Sequence, residues 1–176
     1  VRKRGAKLSF AAQPFCFSEY ILAEKGGRYT VTAAYLYDGF YSLRTDIVRY
    51  YAACSVLEIC NALLVEEGES EAVFIAAVEA LKGLALTEGD AAGLLLSFSL
   101  TALHESGYMI DLDGCGICGG EVKGNAYFDF EAGYFTCSDC ASGVRASEST
   151  YQTLRKCAGL SYDEEMTSGG GKRALR

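Results

Sequence analysis

The sequence predicts an α+β protein made of a strand-rich start, a helical bundle and a four-cysteine ribbon. Three observations predict it. Tyr, Ile, Val and Thr gather on both sides of Gly26-Gly27. Between Ile47 and Leu103 apolar residues recur mostly at three- and four-residue steps. Two Cys-x-x-Cys pairs, Cys115/Cys118 and Cys137/Cys140, stand 18 residues apart. The 176 residues suffice for one ordinary domain or two small ones. With 50% apolar and 22% charged residues, the chain has the composition of a folded protein. No apolar run reaches the roughly 18 residues that a spanning helix needs. The chain opens Val1-Arg-Lys-Arg with no hydrophobic stretch behind it, unlike a secretory signal. It also lacks an initiator Met, and we read it as a piece or processed product of a longer chain.

The elements follow in order. Residues 18–24 and 29–37 read as strands, joined through Lys25-Gly26-Gly27-Arg28, where paired glycines supply the positive φ angles of a tight hairpin. Pro14 precedes the hairpin, where its missing N–H matters little. A lone hairpin is marginal in water, so further strands are expected upstream of Val1. From Thr45 to about Glu66 an amphipathic helix is expected, ended by Gly68. Ser70 caps a second helix carrying Phe74, Ile75, Val78, Leu81 and Leu84. Thr87 with Asp90 reads as a Thr-x-x-Asp start for a third. That helix is apolar almost all round and is expected to be central, with Gly107 stopping it. Short helices joined by short turns make a bundle. Residues 122–130 and 134–136 are strand-like runs around Glu131-Ala132-Gly133. A last helix is expected over 149–158, ending at Gly159, before a flexible Gly-rich tail at 167–171.

The net charge of −7 is unevenly spread. Residues 1–50 hold 8 Lys/Arg against 4 Asp/Glu, a net of +4; residues 51–114 hold 1 against 11, a net of −10. A polyanion should therefore meet the start of the chain first. Arg2, Lys3, Arg4 and Lys7 precede Phe10, Phe15, Phe17 and Tyr20, and Arg28 and Arg44 follow among Tyr29, Tyr35 and Tyr37. Cations neutralise phosphates and release counterions. Rings on a sheet stack on unpaired bases, each worth about 1–3 kcal/mol. These six cations are the candidate nucleic-acid-binding residues. The same pattern also fits strand rings that face a core and a basic run that is merely a solvated edge.

Cys115, Cys118, Cys137 and Cys140 are the candidate metal ligands. Two residues between cysteines let both sulfurs turn to one point, and a hairpin brings the second pair across. Four thiolates fill a tetrahedral shell at about 2.3 Å from Zn²⁺ and leave no place for water or substrate, so the cofactor expected is a structural Zn²⁺. An iron site of the rubredoxin kind uses the same ligands. A redox Cys-x-x-Cys wants a thioredoxin-like strand–helix setting, which the pattern lacks. A catalytic zinc wants an open position and His ligands, and the one histidine, His104, falls in a helical stretch. Zn²⁺ with four thiolates carries about −2, so the ribbon does not by itself attract nucleic acid. With few apolar residues of its own, the ribbon is expected to take much of its folding free energy from metal, on the order of 10 kcal/mol in small zinc modules. Metal-held sulfurs are expected to be buried and shielded from reagents. Cys16, Cys54, Cys60 and Cys157 lack such spacing and read as small hydrophobes.

The order of these parts carries a resemblance. The series Gly107-Tyr-x-x-x-Leu112-x-x-Cys115-x-x-Cys118-Gly119, Tyr127-Phe128, Gly133 and Cys137-x-x-Cys140 resembles the RecO family of bacterial recombination mediators. Residues 1–9 and Gln13-Pro14-Phe15 resemble the latter part of that family's N-terminal OB-fold, and Phe40-x-x-Leu43-Arg44-x-Asp46 its passage into the helices. The resemblance implies a partial OB-fold barrel over 1–41 and an α-helical domain over 42–176, with the zinc ribbon inserted at 112–142. It also implies that the first barrel strands lie upstream and that the final helix continues past Arg176. It implies no bond-making chemistry. The expected role is DNA repair and homologous recombination in the RecF pathway: binding single- and double-stranded DNA, annealing complementary strands, and helping load RecA on gaps. Partners implied are DNA, RecR and the C-terminal tail of single-strand-binding protein, in a cytoplasmic, nucleoid-associated setting without membrane. The alternative is a zinc-ribbon adaptor that binds proteins and has no intrinsic DNA binding.

Overall fold

A computed structural model describes residues 8–64, 71–87, 89–108 and 110–167, with side chains through residue 158. It is a mixed α+β architecture. The hairpin pairs β1 (Phe17–Lys25) with β2 (Arg28–Asp38), antiparallel, in a register running from Phe17 opposite Asp38 to Lys25 opposite Arg28. Gly26 and Gly27 both take positive φ, +60° and +72°, as a two-residue type I′ connection requires. The register shifts twice, after Phe17 and after Ile21. The two strands form a sheet of their own, and no closed barrel is present among the described residues.

The hairpin is fastened to the helices at its open end. Phe15 and Phe40, on either side of it, both have positive φ (65° and 38°), an uncommon conformation for a bulky residue. Both rings are buried in the helical core. Packing therefore holds a backbone turn that neither residue favours alone. Phe15 meets Tyr50 edge-on at 5.3 Å, and Phe17 lies 6.0 Å from Phe74. The Asp38 carboxylate accepts the Phe40 N–H at 2.8 Å. A short 3₁₀ turn, Tyr41–Arg44, then buries Leu43 completely.

Helix α1 (Ile47–Leu63) starts at Asp46, whose carboxylate accepts the N–H groups of Val48 and Arg49 at 2.9 and 3.0 Å. Its buried face is Ala52, Ala53, Val56 and Cys60. Helix α2 (Glu71–Leu86) turns Val73, Ala77, Leu81 and Leu84 inward. The expected stop at Gly68 and cap at Ser70 lie outside the described residues. The last carbonyls of α2 find side-chain donors: Arg49 reaches Leu84 O at 2.6 Å and Ser42 reaches Ala85 O at 2.9 Å. Helix α3 (Ala91–Glu105) packs against both and against a later helix, so it is the central one. The expected Thr-x-x-Asp start is corrected: Asp90 itself caps α3, accepting Ala92 N–H at 3.0 Å, while the Thr87 hydroxyl bonds back to Gly83 O at 2.7 Å and ends α2. Beyond α3 the chain turns at Gly107, with φ +83°.

The ribbon is a three-stranded antiparallel sheet in the order β4-β3-β5, comprising β3 (Ala126–Asp129), β4 (Tyr134–Thr136) and β5 (Val144–Ala146). Helix α4 (Glu148–Thr167) follows. It runs past Gly159, where the sequence placed its end, because a single interior glycine costs only about 1 kcal/mol. The tail expected to be flexible lies outside the described residues beyond Thr167. Cys60 and Cys157 are buried, and Cys54 packs on the bundle core, as small hydrophobes do.

The Phe40 anchor gives a direct test. Phe40→Ala removes a buried ring and should destabilise the protein by about 3 kcal/mol. Chemical denaturation followed by far-ultraviolet circular dichroism measures it; a loss within error of zero would show that Phe40 does not anchor the hairpin.

Candidate metal centre and cationic surface

One cysteine pair lies on a knuckle before β3 and the other on a knuckle after β4, both at the open end of the β3–β4 hairpin. In the first, the Cys115 N–H donates to Gly120 O and the Gly119 N–H donates to Cys115 O, each at 2.8 Å, which closes a tight loop around Cys115 and Cys118. The Gly116 N–H donates to Phe135 O at 2.9 Å. This pins the first knuckle to β4, the strand that leads into the second. There is no room for a side chain here: a Cβ at Gly116 would lie 2.3 Å from the Tyr134 ring. In the second knuckle the Cys140 N–H donates to Cys137 O at 3.2 Å. Buried Thr136 ties this knuckle down, accepting the Ser142 N–H at 3.1 Å.

As a result the four sulfurs converge. All lie within 4.8 Å of one another, and Cys118 Sγ is 3.9 Å from Cys137 Sγ. A tetrahedron with bonds of about 2.3 Å has edges of roughly 3.8 Å, so one ion fits among them with small adjustments. The donor set is all thiol, which suits a soft or borderline cation. His104 stands apart on α3, exposed, with its ring nitrogen 3.4 Å from Glu105.

The sulfurs are electrically unequal. The Cys118 N–H foremost, then the Cys137 and Ile117 N–H groups, point at the Cys115 sulfur and pull its pKa down to about 6. Cys140 is pushed up to about 12, chiefly by its hydrogen bond with the Cys137 side chain. A cation must displace the Cys140 proton, so metal affinity falls as pH falls. Burial is also unequal. Cys115 is buried and Cys137 and Cys140 are half-buried, but Cys118 is exposed. Cys118 is thus the member of the set that burial alone does not cover.

Two features of the ribbon escaped the sequence. Strand β5 pairs Val144 with Phe128 and Ala146 with Ala126, giving β3 a second neighbour. Tyr151 of α4, only 2% exposed, donates its hydroxyl to Leu112 O at 2.9 Å and packs 5.0 Å from Phe135. The ribbon core thus includes a residue from outside the ribbon. Apolar residues at Tyr151 and Leu154, spaced i, i+3 just after the second pair, were the available signal. Asp129 fastens the hairpin turn. Its carboxylate accepts the Ala132 and Glu131 N–H groups and the Ser142 hydroxyl, which hold its pKa below the usual carboxylate range.

The candidate cations do not form one surface among the described residues. Arg2, Lys3, Arg4 and Lys7 lie outside them. Arg28 is exposed at the hairpin tip, across from Lys25. Arg44 points inward: its Nη2 donates to Pro14 O at 2.7 Å and approaches Cys16 Sγ at 3.7 Å, with the guanidinium 5.8 Å from the Tyr41 ring centre. The hairpin rings are the more open feature, since Tyr20, Tyr29, Tyr35 and Tyr37 are all exposed. No described helix is long and apolar enough to cross a membrane.

A family model described as the recombination protein O C terminal matches residues 44–167. A DNA repair protein RecO of Desulforamulus reducens is 32% identical over 159 residues, covering 88% of this chain and 59% of that protein. Its counterpart in Acetivibrio thermocellus is 27% identical over 139 residues, covering 79% and 55%. That of Rubrobacter xylanophilus is 29% identical over 182 residues, covering 100% and 73%. The chain thus spans less than two thirds of the length of the first two relatives.

Removing the metal should loosen the ribbon before the bundle. With chelator, limited proteolysis is expected to cut within 110–145 sooner than within 47–105, and lowering the pH should release metal in the same order. Equal cutting with and without chelator would contradict this.

Proposed function

The chain belongs to the RecO family, and from that premise we propose that it is part of a DNA repair and recombination mediator. It binds single- and double-stranded DNA, anneals complementary strands, and with RecR and the tail of single-strand-binding protein helps load the recombinase on gapped DNA. It makes and breaks no covalent bond. The observation that carries this reading is the family match across the helices and the ribbon together, since it spans both the bundle and the four-cysteine module.

The physical case rests on the hairpin. Exposed tyrosines on a two-stranded sheet offer faces for unpaired bases, and Arg28 at its tip offers charge to phosphate. On this reading β1 and β2 are strands of an OB-fold. The four sulfurs hold a structural Zn²⁺, and a closed thiolate shell supports that choice over a catalytic ion. The acidic middle of the chain faces away from DNA. The protein works at the nucleoid, in the cytoplasm.

Exposed Ile117, Phe130 and Val144 on the ribbon favour a second reading, a protein-binding adaptor without DNA affinity. A salt series on the full-length protein separates the two. A mediator loses single-strand affinity steeply as salt rises. Arg28→Ala should reduce the slope of log affinity against log salt by about 1. Arg44→Ala should instead lower stability with the slope unchanged, because its guanidinium serves the Pro14 carbonyl. No binding and no strand annealing at low salt would favour the adaptor.

A further inference from the structure

We propose that Cys118 is an oxidation site through which peroxide opens the metal centre, closing a Cys118–Cys137 disulfide. The proposal rests on the reading that the four sulfurs hold a metal ion. Three observations carry it. Cys118 is the exposed member of an otherwise buried or half-buried set. Cys137 Sγ stands 3.9 Å away, near enough to reach the roughly 2.05 Å of a disulfide by local movement. Gly120 leaves one flank of the Cys118 sulfur uncovered, since a Cβ there would lie 3.4 Å from it.

The chemistry balances without a further reactant. Metal-held sulfurs are thiolates, and the thiolate is the nucleophile toward peroxide. The Cys118 thiolate attacks one peroxide oxygen and the O–O bond breaks. This leaves a sulfenic acid and one hydroxide. The Cys137 thiolate then attacks that sulfur and displaces a second hydroxide. Two thiolates lose two electrons, and one hydrogen peroxide is reduced to two hydroxides. Cys115 and Cys140 remain, and two sulfurs cannot keep a four-coordinate ion. Cys16 and Cys54, outside the cluster, gain no such activation from a metal and should react later. A thiol reductant reverses the disulfide, so the site can be reset.

The test uses the full-length, metal-loaded protein, hydrogen peroxide, a chromogenic zinc indicator and peptide mass mapping. Metal content is measured first; a reduced protein with no bound metal overturns the metal reading itself. With metal present, the expected result is one ion released per Cys118–Cys137 disulfide, before Cys16 or Cys54 is modified. Gly120→Ala keeps all four ligands and lays a methyl against the Cys118 sulfur, so it should slow release several-fold and leave the rate at Cys16 unchanged. Metal retained while Cys16 or Cys54 is oxidised would overturn the proposal, as would a first disulfide that omits Cys118 or release at an unchanged rate in Gly120→Ala.

Discussion

Two cysteine knuckles separated by a hairpin come together only if both are fastened to the same strand. Strand β4 does this. Phe135 accepts the Gly116 N–H from the first knuckle through its main chain, and Thr136 holds the second through its side chain. Two neighbouring residues thus set the distance between the pairs, and the sulfurs converge before any ion is considered. Much of the rest of the ribbon depends on that strand. Its Phe135 ring is where α4 docks, and its pairing with β3 positions the turn that Asp129 fastens. Helix α4 in turn packs on α3, so the ribbon is tied into the bundle through one helix.

The other end of the molecule is held differently. The hairpin strands are largely exposed, and their own burial contributes little. Their position comes from Phe15 and Phe40, whose rings enter the helical core while their backbones take a left-handed turn. Arg44 and Asp38 reinforce the junction by satisfying a loop carbonyl and a loop N–H. Junction and ribbon therefore use opposite means. One relies on buried rings that hold a strained backbone, the other on local hydrogen bonds that aim polar ligands.

Much of this was legible in the sequence, because the relevant signals are local. The Gly26-Gly27 turn, the period of α1 to α3, the stop at Gly107 and the cysteine spacing all act over a few residues. What was not legible depends on residues far apart. Strand β5 is three residues long, with no alternation to betray it, and exists only because β3 offers an open edge. The cap of α3 is a local exception: the Thr87 hydroxyl donates back to Gly83 O, and the Asp90 carboxylate accepts the Ala92 N–H. Arg28 and Arg44 look alike in sequence, but tertiary packing leaves one free at a turn and assigns the other to a carbonyl 30 residues away. The identification of the family needed the order of all the parts, since each motif alone is common.

The rings of the ribbon form a connected series. Tyr151 meets Phe135 edge-on at 5.0 Å, Phe135 lies tilted at 4.8 Å from Phe128, and Phe128 meets Phe130 edge-on at 4.9 Å, running from a buried end to one that is 75% exposed. The chain contains no Trp. Aromatic rings held in a fixed, chiral arrangement give near-ultraviolet dichroism that vanishes when tertiary packing is lost. Without indole bands, that region of the spectrum reports tyrosine and phenylalanine packing alone, in the ribbon and at the Phe15–Tyr50 junction alike.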